Sequence, residues 1–132
     1  KEANSNISKI VDTFALVGDQ MDIYSGNDDQ IVPLMSLGGK GVISVVANVA
    51  PRFMADICDE FFAGNIEKAG KMQLEVYPLV KALFCEVNPI PAKAAMAAMG
   101  FCEDYVRLPL TVMEDDHKAV LLSEMRKLGI DC

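Results

Sequence analysis

Residues 38–51 read Gly38-Gly39-Lys40-Gly41-Val42-Ile43-Ser44-Val45-Val46-Ala47-Asn48-Val49-Ala50-Pro51. The run from Val42 to Val46 is apolar, rich in β-branched residues and preceded by glycine, which is typical of a strand buried on both faces of a parallel sheet. Pro51 suits the first turn of a helix, so this stretch predicts a strand followed by a helix. Its glycine-rich start precedes the strand and lacks the Ser or Thr that follows Gly-Lys in a phosphate-binding loop. We therefore interpret that start as a helix-to-strand turn.

The residues before this stretch repeat the alternation of helix and strand. A first helix, capped within residues 4–6 and ended by Gly18, is predicted from one stripe of apolar residues that should be buried: Ile7, Ile10, Val11, Phe14 and Ala15. Residues 21–25 predict a short strand, and Asp28 or Asp29 is expected to cap a second helix. Such alternation with short connections implies parallel strands joined by right-handed crossovers.

The second half of the chain carries helical patterns and no strand pattern. A long helix is predicted for residues 66–84 and a helix of small residues for residues 92–99. Residues 107–110, which include a proline, are expected to be extended. Thr111 and Glu114 have the spacing of a capping box, which predicts a last helix.

Two parallel strands do not make a stable sheet, because both of their edges would lie open. We therefore expect the missing strands to precede residue 1. The chain is predicted to be part of a longer polypeptide with an α/β fold.

The composition argues against several classes of protein. The chain has 132 residues, of which 52% are hydrophobic and 23% charged, as in ordinary folded domains. Its net charge of −7 argues against nucleic acid or an anionic membrane as the main partner, because both require concentrated positive charge. The longest apolar run, residues 42–50, is far shorter than a bilayer-spanning helix.

Neither the cysteines nor the single histidine predicts a metal site. Cys58, Cys85, Cys102 and Cys132 are widely spaced and form no C-x-x-C pair, so we interpret them as free thiols in a reducing cytosol. Residues 115–117, Asp-Asp-His, could suggest a metal site. They fall in a predicted first helical turn, however, where acidic side chains complement the helix dipole.

Six segments, in this order and with compatible spacing, resemble the dihydrodipicolinate synthase family, within the N-acetylneuraminate-lyase-like class I aldolases. They are Lys1-Glu2-Ala3 leading into Asn6, Ser25-Gly26-Asn27-Asp28, Gly38 to Val45, Ala47 to Pro51, Asn88-Pro89-Ile90-Pro91-Ala92-Lys93, and Arg107-Leu108-Pro109-Leu110-Thr111. The resemblance implies an α/β fold that is the C-terminal part of a (β/α)8 TIM barrel followed by a C-terminal helical domain. Residues 1–63 would be the last barrel units and residues 64–132 the helical domain.

The resemblance also implies a Schiff-base mechanism. In the family, the lysine that opens the Lys-Glu-Ala motif forms an imine with pyruvate, and Lys1 matches this position. Only a neutral amine attacks a ketone, and fewer than roughly one lysine in a thousand is neutral at pH 7 unless burial lowers its pKa. The lysine of this motif is therefore expected to lie in a barrel mouth, away from bulk water.

By the same resemblance, Gly26 and Ile43 lie beside bound pyruvate. A side chain in place of Gly26 would intrude on the imine, and Ile43 would contribute main-chain contact and an apolar wall. A turn glycine and a core isoleucine are the purely structural interpretations of the same two residues. Asn27 departs from the acidic residue that is common after this glycine in the family.

The enzyme implied by the resemblance condenses pyruvate with L-aspartate 4-semialdehyde in diaminopimelate and lysine biosynthesis. It would be a cytoplasmic homotetramer without a cofactor, and the apolar Ile7 and Leu37 are candidate contacts between subunits. The family's proton-relay tyrosines and threonine, its carboxylate-binding arginine and most of its allosteric lysine site would lie upstream of residue 1. Two alternatives stay open: a related pyruvate-dependent lyase acting on sugar acids, and a helical assembly module without catalysis.

Overall fold

Three extended segments lie side by side in parallel in the computed structural model, which describes residues 1–132. They are the Lys1 segment (residues 1–3), the Gly26 segment (residues 23–26) and the Ile43 segment (residues 40–43). The Gly26 segment is in the middle, because Ser25 forms a parallel bridge with Glu2 on one side and with Val42 on the other. The parallel pairing predicted from the alternation of helices and strands is confirmed.

Helices make up most of the remaining chain. The α-helices are α1 (Ile7–Val17), α2 (Ile31–Met35), α3 (Pro51–Phe62), α4 (Ile66–Leu83), α5 (Ile90–Ala98) and α6 (Asp115–Lys127), and two 3-10 helices span Asp28–Gln30 and Val46–Asn48. α1 connects the Lys1 segment to the Gly26 segment, and α2 connects the Gly26 segment to the Ile43 segment. None of the helices has both the length and the apolar character that crossing a membrane demands.

The ends of α1 follow from local sequence. Asn6 is its N-cap, and Oδ1 of Asn6 accepts a hydrogen bond from the backbone N–H of Ser8 at 2.9 Å. At the other end the N–H of Gly18 donates to the carbonyl of Phe14 at 2.9 Å. Both predicted boundaries of this helix are confirmed.

A cluster of apolar side chains joins α1 to the Gly26 segment and α2. Ile10, Ile23 and Leu34 are buried in it, and the partly buried Phe14 and Val17 pack against them. Two further residues of the predicted stripe stay about half exposed, Ile7 at 50% and Val11 at 45%. The prediction of a fully buried stripe is therefore wrong for this chain, because α1 covers the segments with one edge of its apolar face.

Both predicted strands are shorter in the structure. The strand predicted for residues 21–25 is extended only from about Ile23, because the N–H of Met21 still donates to the Val17 carbonyl at the end of α1. The strand predicted for residues 42–46 ends near Ile43. Because Ile43 is 50% exposed, the prediction that this strand is buried on both faces is wrong for this chain. Val46 starts a 3-10 helix and its carbonyl accepts hydrogen bonds within the following turn.

The glycine-rich stretch before the Ile43 segment is a helix-to-strand turn, as predicted. Gly38 has a φ of +105°, a conformation that L side chains rarely adopt. A Cβ built on Gly39 would collide with Cδ2 of Leu34 in α2. The next residue, Lys40, donates its N–H to the carbonyl of Ile23 at 2.8 Å and begins the Ile43 segment.

Contacts between Cα atoms divide the chain into two compact units. The first comprises Lys1–Ser44 with Arg52–Glu75, and the second comprises Val45–Pro51 with Val76–Cys132. The predicted domain boundary between residues 63 and 64 falls inside the first unit, and it stays a prediction.

Within the second unit, α5 packs against α6 and against the 3-10 helix Val46–Asn48. The buried face of α5 contains the small residues Ala92, Ala94 and Ala95, whose short side chains allow neighbouring backbones to approach closely. The prediction that the second half is helical is confirmed.

Two local predictions in the second unit are wrong. Glu114 is the N-cap of α6 and makes no side-chain cap bond, so the predicted capping box does not form. Oε1 of Glu86 instead accepts the backbone N–H of Glu114 at 3.0 Å. Residues 107–110 contain a turn in which the N–H of Leu110 donates to the carbonyl of Arg107 at 3.0 Å, so they are not fully extended.

We expect Gly64→Ala to lower the free energy of unfolding of the intact protein by about 1–2 kcal/mol. Gly64 has a φ of +87° at the end of α3, where the N–H groups of Gly64 and Asn65 donate to the carbonyls of Phe61 and Glu60. An added methyl group meets no atom within 4 Å, so the expected loss of stability comes from backbone strain and not from a steric clash.

The matched control is Gly70→Ala inside α4, where a Cβ also meets nothing within 4 Å and the backbone is helical. It should raise the free energy of unfolding by about 0.5–1 kcal/mol, because alanine favours a helix interior over glycine. Urea unfolding that shows the same sign for both substitutions would contradict this account.

Candidate functional site

Backbone hydrogen bonds hold the three segments in register. Those on the Lys1 side run from Glu2 N to Tyr24 O (2.9 Å) and from Gly26 N to Glu2 O (2.6 Å), and those on the Ile43 side run from Ser25 N to Gly41 O (2.8 Å) and from Ile43 N to Ser25 O (2.8 Å). This is the bonding pattern of parallel strands. The carboxyl ends of the three segments therefore meet at one edge.

The register sorts the side chains onto two faces. Side chains alternate along an extended segment, so Lys1, Gly26 and Ile43 belong to one face and Glu2 and Ser25 to the other. The second face is covered by α1, where Oε2 of Glu2 accepts the hydroxyl of Thr13 at 3.0 Å. The three site residues predicted from the sequence thus lie together, on the face opposite to α1.

Lys1 and Gly26 are in close contact. A Cβ built on Gly26 would lie 2.9 Å from Cε and 3.0 Å from Cγ of Lys1, and 2.8 Å from Cβ of Ala3. Such distances are shorter than van der Waals contact, so the aliphatic arm of Lys1 crosses the space that any larger residue would need. Within this chain Lys1 itself is exposed, so the expected burial of the lysine is not provided by these 132 residues.

Ile43 stands on the far side of Gly26 from Lys1. Its N–H donates to the carbonyl of Ser25, the residue before Gly26, at 2.8 Å. Its side chain is 50% exposed and can present an apolar wall to a small ligand on this face.

The turn after Gly26 is tied to the loop after the Lys1 segment. Oγ of Ser25 donates to the carbonyl of Asn27 at 2.8 Å and accepts the N–H of the same residue at 3.2 Å. Nδ2 of Asn27 donates to the carbonyl of Asn4 at 3.4 Å and to Oε1 of Gln30 at 3.0 Å. Nε2 of Gln30 in turn donates to the carbonyl of Ser5 at 3.4 Å. Side-chain amides therefore connect the two loops that follow Lys1 and Gly26.

The N-terminus of α2 is capped from α4, which the sequence reasoning missed. Asp28 and Asp29 lie inside the 3-10 helix, so the predicted cap by either residue is wrong. Oε1 of Gln73 accepts the N–H groups of Ile31 at 3.2 Å and Val32 at 3.3 Å. The sequence signal for this cap was Gln73 itself, a polar residue among the apolar buried residues of α4, because a buried amide requires hydrogen-bond partners.

Two other groups singled out in the sequence, a cysteine of α3 and the single histidine, belong to the first and to the second unit. Burial raises the pKa of the Cys58 thiol, and the charge of Asp59 raises it further, so this cysteine is mostly protonated at neutral pH. In the second unit, Nδ1 of His117 lies 2.8 Å from Oε1 of Glu86 at the start of α6. No group of three or more His, Cys, Asp or Glu side chains is arranged to hold a metal ion.

The sequence profile of the Dihydrodipicolinate synthetase family matches residues 1–128. A 4-hydroxy-tetrahydrodipicolinate synthase from Alkaliphilus oremlandii is 48% identical over 130 residues, which are 98% of this chain and 45% of that protein. The chain thus spans less than half the length of the curated relatives that it matches.

Solved structures agree with the sequence comparison. A dihydrodipicolinate synthase from Thermotoga maritima superposes with a TM-score of 0.95 at 44% identity, over 98% of this chain and 45% of that one. A chloride-inhibited dihydrodipicolinate synthase from Acinetobacter baumannii, complexed with pyruvate, gives a TM-score of 0.91 at 34% identity over the same shares. The chain belongs to the dihydrodipicolinate synthetase family.

Proposed function

We propose that this chain carries the imine-forming part of a 4-hydroxy-tetrahydrodipicolinate synthase, a lyase that condenses pyruvate with L-aspartate 4-semialdehyde. The observation that supports this most directly is the close contact of Lys1 with Gly26, a residue that leaves no room for a side chain. Family membership and the likeness to a relative complexed with pyruvate point to the same substrate.

Lys1 supplies the nucleophile. Its neutral Nζ adds to the keto carbon of pyruvate, and with uptake of one proton the carbonyl oxygen leaves as water to give a protonated imine. The imine withdraws electrons, so the pyruvate methyl group loses a proton and becomes the nucleophilic carbon of an enamine. This carbon attacks the aldehyde of aspartate 4-semialdehyde, whose oxygen takes up a proton. The amino group of that substrate then adds to the imine carbon, which closes the ring and releases the amine of Lys1. The imine serves as electron sink, so the carbon–carbon bond forms without a metal or cofactor.

Gly26 and Ile43 shape the space around the imine. With hydrogen in place of a side chain, Gly26 lets the arm of Lys1 lie flat across the Gly26 segment. Ile43 bounds the opposite side with an apolar surface that suits the methyl group of pyruvate. Neither residue takes a proton, so we assign them to binding and orientation.

For the complete protein we propose a cytoplasmic enzyme of diaminopimelate and lysine biosynthesis. Residues 1–63 would form the last units of a (β/α)8 barrel and residues 64–132 a C-terminal helical domain. The parallel segments separated by α1 and α2 support this assignment, because a barrel is built from that repeated unit. The barrel mouth would shield the lysine amine from water and thereby favour its neutral form.

With pyruvate and borohydride, the intact protein should gain one reduced pyruvyl group per chain, located on Lys1 by peptide mass spectrometry. Lys1→Ala should abolish the adduct and lower turnover at least about a thousandfold, the scale expected for loss of a covalent nucleophile. Lys40→Arg is the control and should keep both the adduct and the turnover, because Lys40 is exposed at the start of the Ile43 segment.

Different results separate the alternatives. An adduct on another lysine, or no adduct in the wild-type protein, would overturn the mechanism. An adduct on Lys1 that condenses with sugar aldehydes but not with aspartate 4-semialdehyde would identify a related sugar-acid lyase.

Gly26→Ala should slow adduct formation on Lys1 by about ten- to a hundredfold, since a displacement of about 1 Å is that costly at a reacting centre. The new methyl group would lie 2.9 Å from Cε of Lys1, so the arm must move. Gly70→Ala, with open space around its Cβ, should leave the rate unchanged. Wild-type trapping kinetics for folded Gly26→Ala would disprove the role given to this glycine.

We also propose that the intact enzyme is a homotetramer in which Ile7 and Leu37 contact a second copy. Both are exposed in this chain, at 50% and 37%, although they are apolar. Ile7→Asp and Leu37→Asp should each reduce the mass measured by light scattering at micromolar concentration. Leu16→Asp is the control, because Leu16 is 75% exposed on the opposite side of α1. An unchanged mass for both interface variants would exclude this contact.

A further inference from the structure

Three buried polar residues surround one turn of the first unit. Ser25, Asp28 and Gln73 are 0%, 1% and 7% exposed. Ser25 and Asp28 flank Gly26 and Asn27, whereas Gln73 comes from α4. Burial of a polar side chain is unfavourable unless its hydrogen-bonding groups are satisfied, so a buried amide at this place needs an explanation.

Gln73 uses both ends of its amide on this turn. Nε2 donates to the backbone carbonyl of Asp28 at 2.8 Å. Oε1 accepts the N–H groups of Ile31 and Val32. The residue before α2, Gln30, makes no side-chain cap bond, so Gln73 supplies the side-chain acceptor at this helix end. One side chain therefore fixes the turn at its start and at its end.

Two further side chains connect this turn to the loop that follows the Lys1 segment. Gln30 lies inside the span 28–32 held by Gln73, and its side chain donates to the carbonyl of Ser5. Asn27, which directly precedes that span, donates from Nδ2 to the carbonyl of Asn4 and to Oε1 of Gln30. Within the ladder, the N–H of Gly26 donates to the carbonyl of Glu2 at 2.6 Å. Hydrogen bonds and the backbone of residues 27–30 together connect α4 to the turn after Gly26 and to the residues that follow Lys1.

We propose that Gln73 is a positioning residue for the imine site, which it serves by holding the turn 26–32 against the Lys1 segment. This inference rests on the proposed function, since Lys1 must be the reacting amine. It makes α4, which belongs to the predicted helical domain, part of the catalytic unit. A displaced turn would move Gly26 relative to the arm of Lys1, where shifts of about 1 Å are costly.

Two substitutions at Gln73 separate its donor from its acceptor. Gln73→Met keeps the length of the side chain and removes both functions. Gln73→Glu keeps the acceptor for Ile31 and Val32 and loses the donor to the carbonyl of Asp28. At saturating pyruvate, Gln73→Met should form the borohydride-trapped adduct on Lys1 at least about tenfold more slowly than wild type, with Gln73→Glu in between.

Controls distinguish positioning from loss of stability. Gln20→Met makes the same exchange at an exposed glutamine and should leave the rate unchanged. Gly64→Ala lowers stability at the end of α3 and should also react at the wild-type rate. A folded Gln73→Met with wild-type trapping kinetics, or with a loss no greater than that of an equally destabilised Gly64→Ala, would overturn the proposal.

Hydrogen exchange of the intact protein tests the same contacts without pyruvate. In Gln73→Met, amides of residues 25–32 and of residues 1–6 should both exchange faster than in wild type, because the turn holds the Lys1 loop. Faster exchange confined to residues 28–32 would show that Gln73 is a helix cap and nothing more. If wild type forms no adduct while both peptides respond, the proposed function fails and the positioning contact stands.

Discussion

The pairing of Ser25 with both neighbouring segments is the constraint that places Lys1, Gly26 and Ile43 on one face. Ser25 is fully buried, its N–H and carbonyl bond the Ile43 segment, and its hydroxyl closes the turn over Asn27. Because side chains alternate along a strand, a slip of one residue would exchange the two faces. Lys1 would then point at α1, and Glu2 would take its place on the open face. A serine is small enough to be buried there, and its hydroxyl bonds both the carbonyl and the N–H of Asn27.

Features that depend on a few adjacent residues could be predicted from the sequence. The Asn6 cap of α1, the helix start at Pro51 and the glycine turn before the Ile43 segment are all present. The caps of α2 and α6 could not be predicted, because their acceptors belong to Gln73 and Glu86, which are distant in sequence. The first N–H groups of a helix require an acceptor but do not specify where along the chain it comes from.

The composition of the site was predictable only in part. Spacing alone indicated a glycine at a strand end and an isoleucine in a strand, and the roles of Lys1, Gly26 and Ile43 came from family resemblance. The structure places these three on one face, a result that follows from the register and not from any local pattern. Exposure was less predictable, as Ile7 and Ile43 illustrate. An apolar residue in a periodic pattern identifies a face that prefers to be covered, but the covering surface lies elsewhere in sequence or in another molecule.

The departure from the family at Asn27 fits this network of amides. Nδ2 of Asn27 donates to the carbonyl of Asn4 and to Oε1 of Gln30, and an ionised carboxylate has no hydrogen to donate in either contact. An acidic residue here would instead set a negative charge against two acceptors, beside the glycine that contacts Lys1. An amide at this position therefore ties the turn after Gly26 to the loop after the Lys1 segment, through two hydrogen bonds that an ionised carboxylate could not donate.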